Sequence, residues 1–118
     1  MKHLHFNVEP DGFYGAYWAC AGGSDCAVIA MIGDDPEDRL ARSAVKWLCG
    51  RGVNVLTMSP AKKDYGHHNY PLERVETAIS WLKANGNRKI GIAGASTTGT
   101  LALTAASMFP EITLTIAL

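Results

Sequence analysis

The sequence predicts an α/β fold in which a mostly parallel sheet carries helices on both faces. Four short, continuous apolar runs are typical of strands that are buried on both sides. They alternate with segments whose apolar residues recur at helical spacing, and this alternation predicts parallel strands joined by helical crossovers. With 118 residues, 47% of them hydrophobic and 19% charged, the chain is expected to form a single globular domain.

The N-terminal region predicts an antiparallel hairpin. Residues 3–8 alternate between apolar and polar side chains, and residues 14–20 are rich in aromatic, strand-forming side chains. Pro10, Asp11 and Gly12 lie between the two runs and predict a turn. The two runs are therefore expected to pair and to extend the parallel sheet.

The remaining elements follow in a regular order. Buried strands are predicted at residues 27–32, 53–58, 89–95 and 112–118, and helices at residues 37–49, 71–84 and 98–109. Asp35 before Pro36 predicts the start of the first of these helices, because the carboxylate can cap free amides and proline is tolerated in a first turn. Helical spacing assigns Leu40 and Met108 to inner faces. Ligands in such folds bind where the strands end, at the loops 33–38, 59–70 and 96–99.

Composition narrows the range of partners and locations. The 11 basic and 11 acidic residues cancel, so no electrostatic surface for nucleic acid or anionic lipid is expected. The N-terminus lacks the pattern of a signal peptide, and the longest apolar run, residues 26–32, is too short to span a bilayer. Cys20, Cys26 and Cys49 form no CxxC pair, which predicts reduced, mostly buried thiols and a cytoplasmic protein.

The most informative segment is the strand-to-helix junction KIGIAGASTTGT at residues 89–100. An apolar run stops at Gly94-Ala95-Ser96 and a helical pattern begins at once, which is the layout of a nucleophile elbow. The amide of Thr97 would lie at a helix N-terminus, where it can stabilise the oxyanion of acyl transfer. Thr98 stands where the G-x-S-x-G pattern has glycine. The alternative is that Ser96 only caps the helix.

The stretch from residue 26 to residue 118 resembles the N-terminal half of an α/β-hydrolase. More narrowly, it is similar to the acyl-CoA thioester hydrolase and bile-acid-CoA:amino acid N-acyltransferase family, and to dienelactone-hydrolase-like proteins. The resemblance rests on YPLERVETAISWLK at 70–83, KIGIAGAS at 89–96 and the helix at 101–110. It implies an α/β-hydrolase fold, a nucleophilic Ser96 and a small acyl ester or thioester as substrate, with no cofactor or metal.

The resemblance also implies a second oxyanion donor in the loop after the first parallel strand. That loop contains Gly33 and Asp34, followed by Asp35 and Pro36. Carboxylates beside a developing oxyanion are unfavourable unless they point away. Capping of the following helix by Asp34 or Asp35 is therefore the competing interpretation.

An esterase triad of this fold runs serine, then acid, then histidine along the chain, and the sequence does not complete it. No histidine follows Ser96, and Glu111 is predicted at the opposite edge of the sheet. His67 and His68 follow the second parallel strand, so an unorthodox base there is an alternative, although the family's strand order places that strand one position away from the strand of Ser96. With Asp64 they form only a weak metal motif. We therefore expect one incomplete domain, residues 1–118, that ends after the sixth strand of the fold and is inactive by itself.

Two other interpretations of function stay open. The chain can be a non-catalytic domain on a hydrolase scaffold, or the glycine-rich segment 91–99 can be a dinucleotide-binding turn of Rossmann type, although no ribose-binding acid follows it. The final strand, residues 112–118, is apolar and has no following helix to cover it. Self-association through this strand is therefore expected.

Overall fold

A mostly parallel sheet forms the centre of the structure. The computed structural model describes residues 3–59 and 70–118. Within these residues the strands are β1 (Leu4–Phe6), β2 (Gly15–Trp18), β3 (Cys26–Met31), β4 (Asn54–Met58), β5 (Lys89–Gly94) and β6 (Ile112–Ala117). The helices are α1 (Val8–Asp11), α2 (Arg39–Cys49), α3 (Glu73–Ala84) and α4 (Thr97–Met108).

The strand order is β1-β2-β4-β3-β5-β6, so the chain starts at one edge and reaches the other with β6. β1 pairs with β2 and β2 with β4 in antiparallel fashion, whereas the pairs β3–β4, β3–β5 and β5–β6 are parallel. Met31 is level with Gly94, and Gly94 with Ala117. The parallel strands therefore end at one edge, and the predicted fold class and N-terminal hairpin are confirmed.

Each face of the sheet carries its own apolar core. On one face, β3 and β5 side chains such as Ile29 and Ile92 pack with buried residues of α3 and α4. On the other face, Val28 and Ala93 belong to a cluster with Val45 and Leu48 of α2. Neighbouring residues of one strand thus face opposite cores, which explains why these strands appear as continuous apolar runs.

A buried amide network closes the amino edge of the sheet. The Asn54 side chain accepts a hydrogen bond from the Cys20 amide (2.9 Å) and donates to Asn87 Oδ1 (2.9 Å). Asn87 in turn donates to the Tyr17 hydroxyl and to the Leu82 carbonyl, both at 3.2 Å. The side-chain amides therefore satisfy one another and join loops that are far apart in sequence.

Several predicted details were wrong. Leu40 and Met108 were assigned to the core, but they are 62% and 55% exposed. The sheet side of α2 is formed by Ala41, Val45 and Leu48. Val45 and Leu48 belong to the face that helical spacing predicts as buried, whereas Ala41 takes the place expected for Leu40. Helix α2 also begins at Arg39, because Asp38 and not Asp35 is its N-cap.

The two ends of the chain also differ from the sequence expectations. A short helix, α1, replaces the turn predicted at residues 10–12, and Gly12 ends it with a φ of 85°. Residues 112–118 were predicted as a buried strand, but β6 is an edge strand in which only Ile112 is buried, and Leu114 is 57% exposed. All three cysteines are free, as predicted, although Cys26 and Cys49 are only half-buried. No helix within residues 3–59 and 70–118 has the length and apolar content that crossing a membrane requires.

Candidate active site at the β5–α4 turn

Ser96 occupies a strained turn between β5 and α4. β5 ends at Gly94 and α4 begins at Thr97, so only Ala95 and Ser96 connect the two elements. Ser96 has φ 57° and ψ −121°, and among the described residues no other non-glycine residue has a positive φ. Such a conformation costs about 1–3 kcal/mol and is retained only where the surroundings enforce it. The Ser96 side chain is exposed at the edge where the parallel strands end.

The surrounding backbone explains why the turn is so tight. A Cβ atom on Gly94 would overlap the carbonyl group of Thr98, so only glycine permits this approach of strand and helix. The Leu118 amide donates to the Gly94 carbonyl (3.0 Å), and the Ser96 amide donates to the Leu118 carbonyl (2.8 Å). Gly94 and Ser96 are thus both bonded to Leu118, the residue that follows β6.

Thr98 fits the position where the hydrolase pattern has glycine. Its side chain is buried, with 5% exposure, and its hydroxyl accepts a hydrogen bond from the Ala95 amide (2.8 Å). The same hydroxyl donates to the Ala95 carbonyl (2.7 Å). The threonine therefore satisfies both polar groups of the Ala95 backbone. Sequence comparison with the G-x-S-x-G pattern marks Thr98 as a departure, but it gives no indication of this role.

The Ser96 side chain does not cap α4. Ser96 is the N-cap residue by position, yet its side chain makes no capping hydrogen bond. The Thr97 amide is the first of the helix and therefore has no intrahelical acceptor. A helix N-terminus favours negative charge, so the hydroxyl of Ser96 and a donor suited to an anion lie in adjacent residues.

The loop after β3 is organised by the Asp38 carboxylate. Asp38 accepts hydrogen bonds from the amides of Asp34 (2.7 Å), Asp35 (3.1 Å) and Ala41 (2.9 Å). Gly33 has a φ of 93°, and a Cβ atom there would overlap the Asp38 carboxylate. Burial by itself would raise the pKa of the Asp38 carboxyl group, but the backbone hydrogen bonds have the larger combined effect. The pKa of Asp38 therefore lies below its usual value. The Asp34 amide, a predicted oxyanion donor, is therefore already engaged.

The N-terminal hairpin holds the same loop from the side. The Tyr14 hydroxyl donates to Asp35 Oδ2 (3.0 Å), and the ring nitrogens of His3 and His5 contact the Glu37 carboxylate. Burial and the hydrogen bond to Asp35 raise the pKa of Tyr14 to about 12, so the phenol remains protonated as a donor. These contacts engage the carboxylates of Asp35 and Glu37, whereas the Asp34 side chain is exposed.

The described histidines are far from Ser96 in the sheet. His5 lies on β1 and His3 immediately precedes this strand, and β2, β4 and β3 separate β1 from β5. Glu111 precedes β6 and therefore lies at the end of the sheet opposite Ser96, as predicted. Asp64, His67 and His68 lie outside the described residues. Within residues 3–59 and 70–118 no three His, Cys, Asp or Glu side chains form a group that could hold a metal ion.

Tyr70 is a further polar residue whose environment the sequence does not predict. It comes shortly before α3 and packs in the core beside α3 and α4 with 8% exposure. Among the described residues its hydroxyl has no hydrogen-bond partner, and it is the one buried side-chain oxygen or nitrogen of these residues in that condition. Burial raises the pKa of Tyr70 well above its usual range, although nearby Arg74 opposes this.

Comparison with known proteins identifies the fold. No protein-family profile and no curated sequence matches the chain. A solved structure of a cold-adapted esterase from an Arctic intertidal metagenomic library is similar, with a TM-score of 0.79, 19% identity, and coverage of 98% of this chain and 59% of the esterase. An esterase of Pyrococcus furiosus gives a TM-score of 0.71, 22% identity, and coverage of 98% and 48%.

An alpha/beta hydrolase from a Penicillium species is also similar, with a TM-score of 0.75, 22% identity, and coverage of 98% of this chain and 44% of that protein. At these identities the comparisons establish the fold alone, and that fold is the α/β-hydrolase fold. The chain spans about half the length of the structures that it matches.

Proposed function

We propose that this chain carries the nucleophile portion of a serine acyl hydrolase that acts on esters or thioesters. The observation that carries the proposal is the backbone of Ser96, which holds a serine at a positive φ with its side chain exposed and not used as a cap. A strained serine at a strand-to-helix turn is how α/β-hydrolases present a nucleophile. A serine that served only to cap α4 would not need this strain.

In the proposed reaction, Ser96 Oγ attacks the carbonyl carbon of the substrate while a base removes the hydroxyl proton. The Thr97 amide then stabilises the negative charge on the carbonyl oxygen. The second donor would come from the backbone at Gly33 and Asp34, with Gly33 favoured because Asp38 already engages the Asp34 amide. As this tetrahedral intermediate collapses, the base gives the proton to the departing alcohol or thiol and an acyl-serine remains. The base then takes a proton from water, which attacks the acyl-serine, and it returns that proton to Ser96 Oγ as the carboxylic acid product leaves.

The base and its acid partner would come from residues outside 1–118. The described histidines are bound to Glu37 on the far side of the sheet, and the structures with the same fold are about twice as long as this chain. An unassisted serine hydroxyl is a poor nucleophile near neutral pH. The chain by itself is therefore expected to have little or no hydrolase activity.

The substrate class is part of the same proposal. The sequence resemblance favours acyl-CoA thioesters, whereas two of the similar structures are described as esterases. A longer polypeptide that supplies the missing histidine should be assayed with acyl-CoA and p-nitrophenyl esters in parallel. The Ser96→Ala variant is expected to lose turnover of both, and equal activity in the variant would exclude Ser96 as the nucleophile.

The 118-residue chain permits a more direct test. Exogenous imidazole can replace a missing histidine base, so p-nitrophenyl acetate hydrolysis is measured with imidazole for wild type, Ser96→Ala and Ser107→Ala. Ser107 is an exposed serine on α4 and is the matched control. We expect an imidazole-dependent excess rate in wild type and Ser107→Ala only, with acylation at Ser96 detected by peptide mass spectrometry. Equal rates in all three proteins would contradict the proposal.

A non-catalytic hydrolase-fold domain is the second candidate. It is favoured by one observation, namely that the Asp38 carboxylate holds the Asp34 amide where an oxyanion donor is expected. Labelling with a fluorophosphonate probe separates the two candidates. A histidine-containing longer polypeptide that does not react with the probe at Ser96 would favour the non-catalytic domain.

A further inference from the structure

Two of the three cysteines come together at the amino edge of the sheet. Ala16 and Trp18 of β2 face the core that lies beneath α2. This alternation continues beyond the strand, because Ala19 is exposed whereas Cys20 is buried with 6% exposure. The Cys20 amide donates to the side-chain oxygen of Asn54 at the start of β4 (2.9 Å), and this bond holds Cys20 in place. Cys20 therefore lies on the α2 side of the sheet.

The C-terminal end of α2 brings Cys49 to the same place. Cys49 is the last residue of α2, and it packs against the cluster that contains Ala16 and Trp18. Its thiol donates to the Trp18 carbonyl at an Sγ–O distance of 3.9 Å, and Cys20 follows Trp18 by two positions. Burial raises the pKa of the Cys49 thiol, and Cys20 raises this pKa further because two neighbouring thiolates repel each other. The Cys20 and Cys49 side chains are therefore neighbours, although they are far apart in the sequence.

The third cysteine lies on the other side of β4. Cys26 begins β3, and β4 separates β3 from β2. The Cys26 side chain lines a groove beside β5 together with Lys89, and its thiol donates to Asp25 Oδ1 (3.4 Å). The Cys49 side chain turns in the opposite direction, towards β2. Of the three possible cysteine pairs, the fold therefore brings together the pair of Cys20 and Cys49.

We propose that Cys20 and Cys49 form a reversible disulfide when the protein is exposed to a disulfide oxidant such as glutathione disulfide. Cys49 is half-buried and is the more accessible thiol, so its thiolate attacks one glutathione sulfur and releases the other as a glutathione thiolate. The Cys20 thiolate then attacks Cys49 Sγ in this mixed disulfide and releases the second glutathione. The two protein thiols lose two protons and two electrons, and the electrons reduce glutathione disulfide to two glutathione molecules.

The disulfide would join the segment after β2 to the end of α2 by a covalent bond. Both cysteines lie within the described residues, so the bond requires no other segment. A disulfide needs its two Cβ atoms about 3.8 Å apart. Cys49 occupies a helix terminus, where the last turn adjusts more readily than the interior of a sheet. Formation of the bond therefore requires movement at the end of α2 and leaves the strands in place.

Oxidation of the folded 118-residue chain with glutathione disulfide at about pH 8.5, where thiolates form, tests the pairing. Asp25 separates Cys20 from Cys26, so a protease that cleaves before aspartate places the three cysteines in different peptides. We expect mass spectrometry to find the Cys20–Cys49 linkage in wild type and in the matched control Cys26→Ser. A protein with both Cys20→Ser and Cys26→Ser lacks the second thiol and should stop at the mixed disulfide of Cys49 with glutathione. Dithiothreitol should reverse both products.

The same oxidation of the urea-unfolded chain shows how the cysteines pair without the fold. A short loop closes more readily than a long one, so Cys20–Cys26 should be the main linkage in urea. In the folded protein, the Cys20–Cys49 bond should lower the unfolding equilibrium constant by roughly 30-fold or more. A different linkage in the folded protein, glutathione on the cysteines without an internal bond, or a linked protein less stable than the reduced one would overturn the proposal. None of these outcomes depends on Ser96 chemistry.

Discussion

At the scale of single residues, the conformation of Ser96 has a cost that substitution can measure. Glycine adopts a positive φ readily, whereas alanine keeps the Cβ atom and its strain. Ser96→Gly should therefore be more stable than Ser96→Ala by about 1 kcal/mol in urea unfolding. Both variants lack the hydroxyl, so the difference reports the backbone alone. A glycine variant less stable than the alanine variant would show that the turn is not strained in solution.

The hydroxyl of Tyr70 has no hydrogen-bond partner among residues 3–59 and 70–118, and this predicts a stabilising substitution. A buried donor without an acceptor costs about 1–3 kcal/mol, and phenylalanine removes the donor while keeping the ring. Tyr70→Phe should therefore raise the free energy of unfolding by about 1 kcal/mol, measured with urea. A lower stability for Tyr70→Phe would mean that the hydroxyl has a hydrogen-bond partner in solution.

Tyr14 provides the control with the opposite sign. Tyr14→Phe loses the hydrogen bond to Asp35 and should lower the free energy of unfolding by about 1 kcal/mol near neutral pH. The folded-state pKa of Tyr14 is about 12, above the usual 10.0, so this stabilisation is complete below pH 10 and declines as the pH rises towards 12. The difference between wild type and Tyr14→Phe should shrink over that range.

At the scale of elements, Asp38 joins the start of α2 to the loop that precedes it. Asp38→Ala removes the acceptor for three amides and should destabilise the protein by about 0.5–2 kcal/mol, while Asp38→Asn should cost less because its amide oxygen can still accept. The folded-state pKa of Asp38 is lowered, so its contribution is complete above the unfolded value of 3.8 and is lost as the pH falls through the folded value.

Urea unfolding at pH 7 and at successively lower pH checks this prediction. The stability advantage of wild type over Asp38→Asn should be constant from pH 7 to about pH 4 and should diminish below it. An advantage that grows on acidification would contradict the assigned role. Glu111→Gln is a suitable control, because Glu111 is exposed and lies outside this loop. Its free energy of unfolding relative to wild type should be the same at pH 7 and below pH 4.

At the scale of the whole molecule, the sequence predicts more of the sheet than of the details around it. Runs such as residues 27–32 and 89–95 are apolar throughout because β3 and β5 face a core on each side. This pattern predicts that these segments are strands and that the strands are parallel. The exact buried face of α2 is not predicted in this way, since helical spacing places Val45 and Leu48 inward but leaves open whether Leu40 or Ala41 lies beside them. Leu40 was misplaced for this reason.

The sequence likewise predicts some features of the candidate site and not others. The order of strand, Gly94, Ser96 and helix is visible in the sequence, and so is the position of the turn at the edge of the sheet. The choice of Asp38 as the cap is not visible, because Asp34, Asp35 and Asp38 all lie within capping distance of the same helix in sequence. The two hydrogen bonds between the Thr98 hydroxyl and the Ala95 backbone form only once the turn is in place, so no local sequence pattern predicts them.

The two hydrogen bonds between Leu118 and the turn have a consequence for the order of folding. They connect Gly94 and Ser96 to a residue that follows all of α4 and β6. Serine by itself disfavours a positive φ. The turn lacks the two stabilising hydrogen bonds to Leu118 until β6 has docked beside β5. We therefore expect the geometry of Ser96 to form late in folding, and a spectroscopic probe at residue 96 should report completion of the sheet in refolding kinetics.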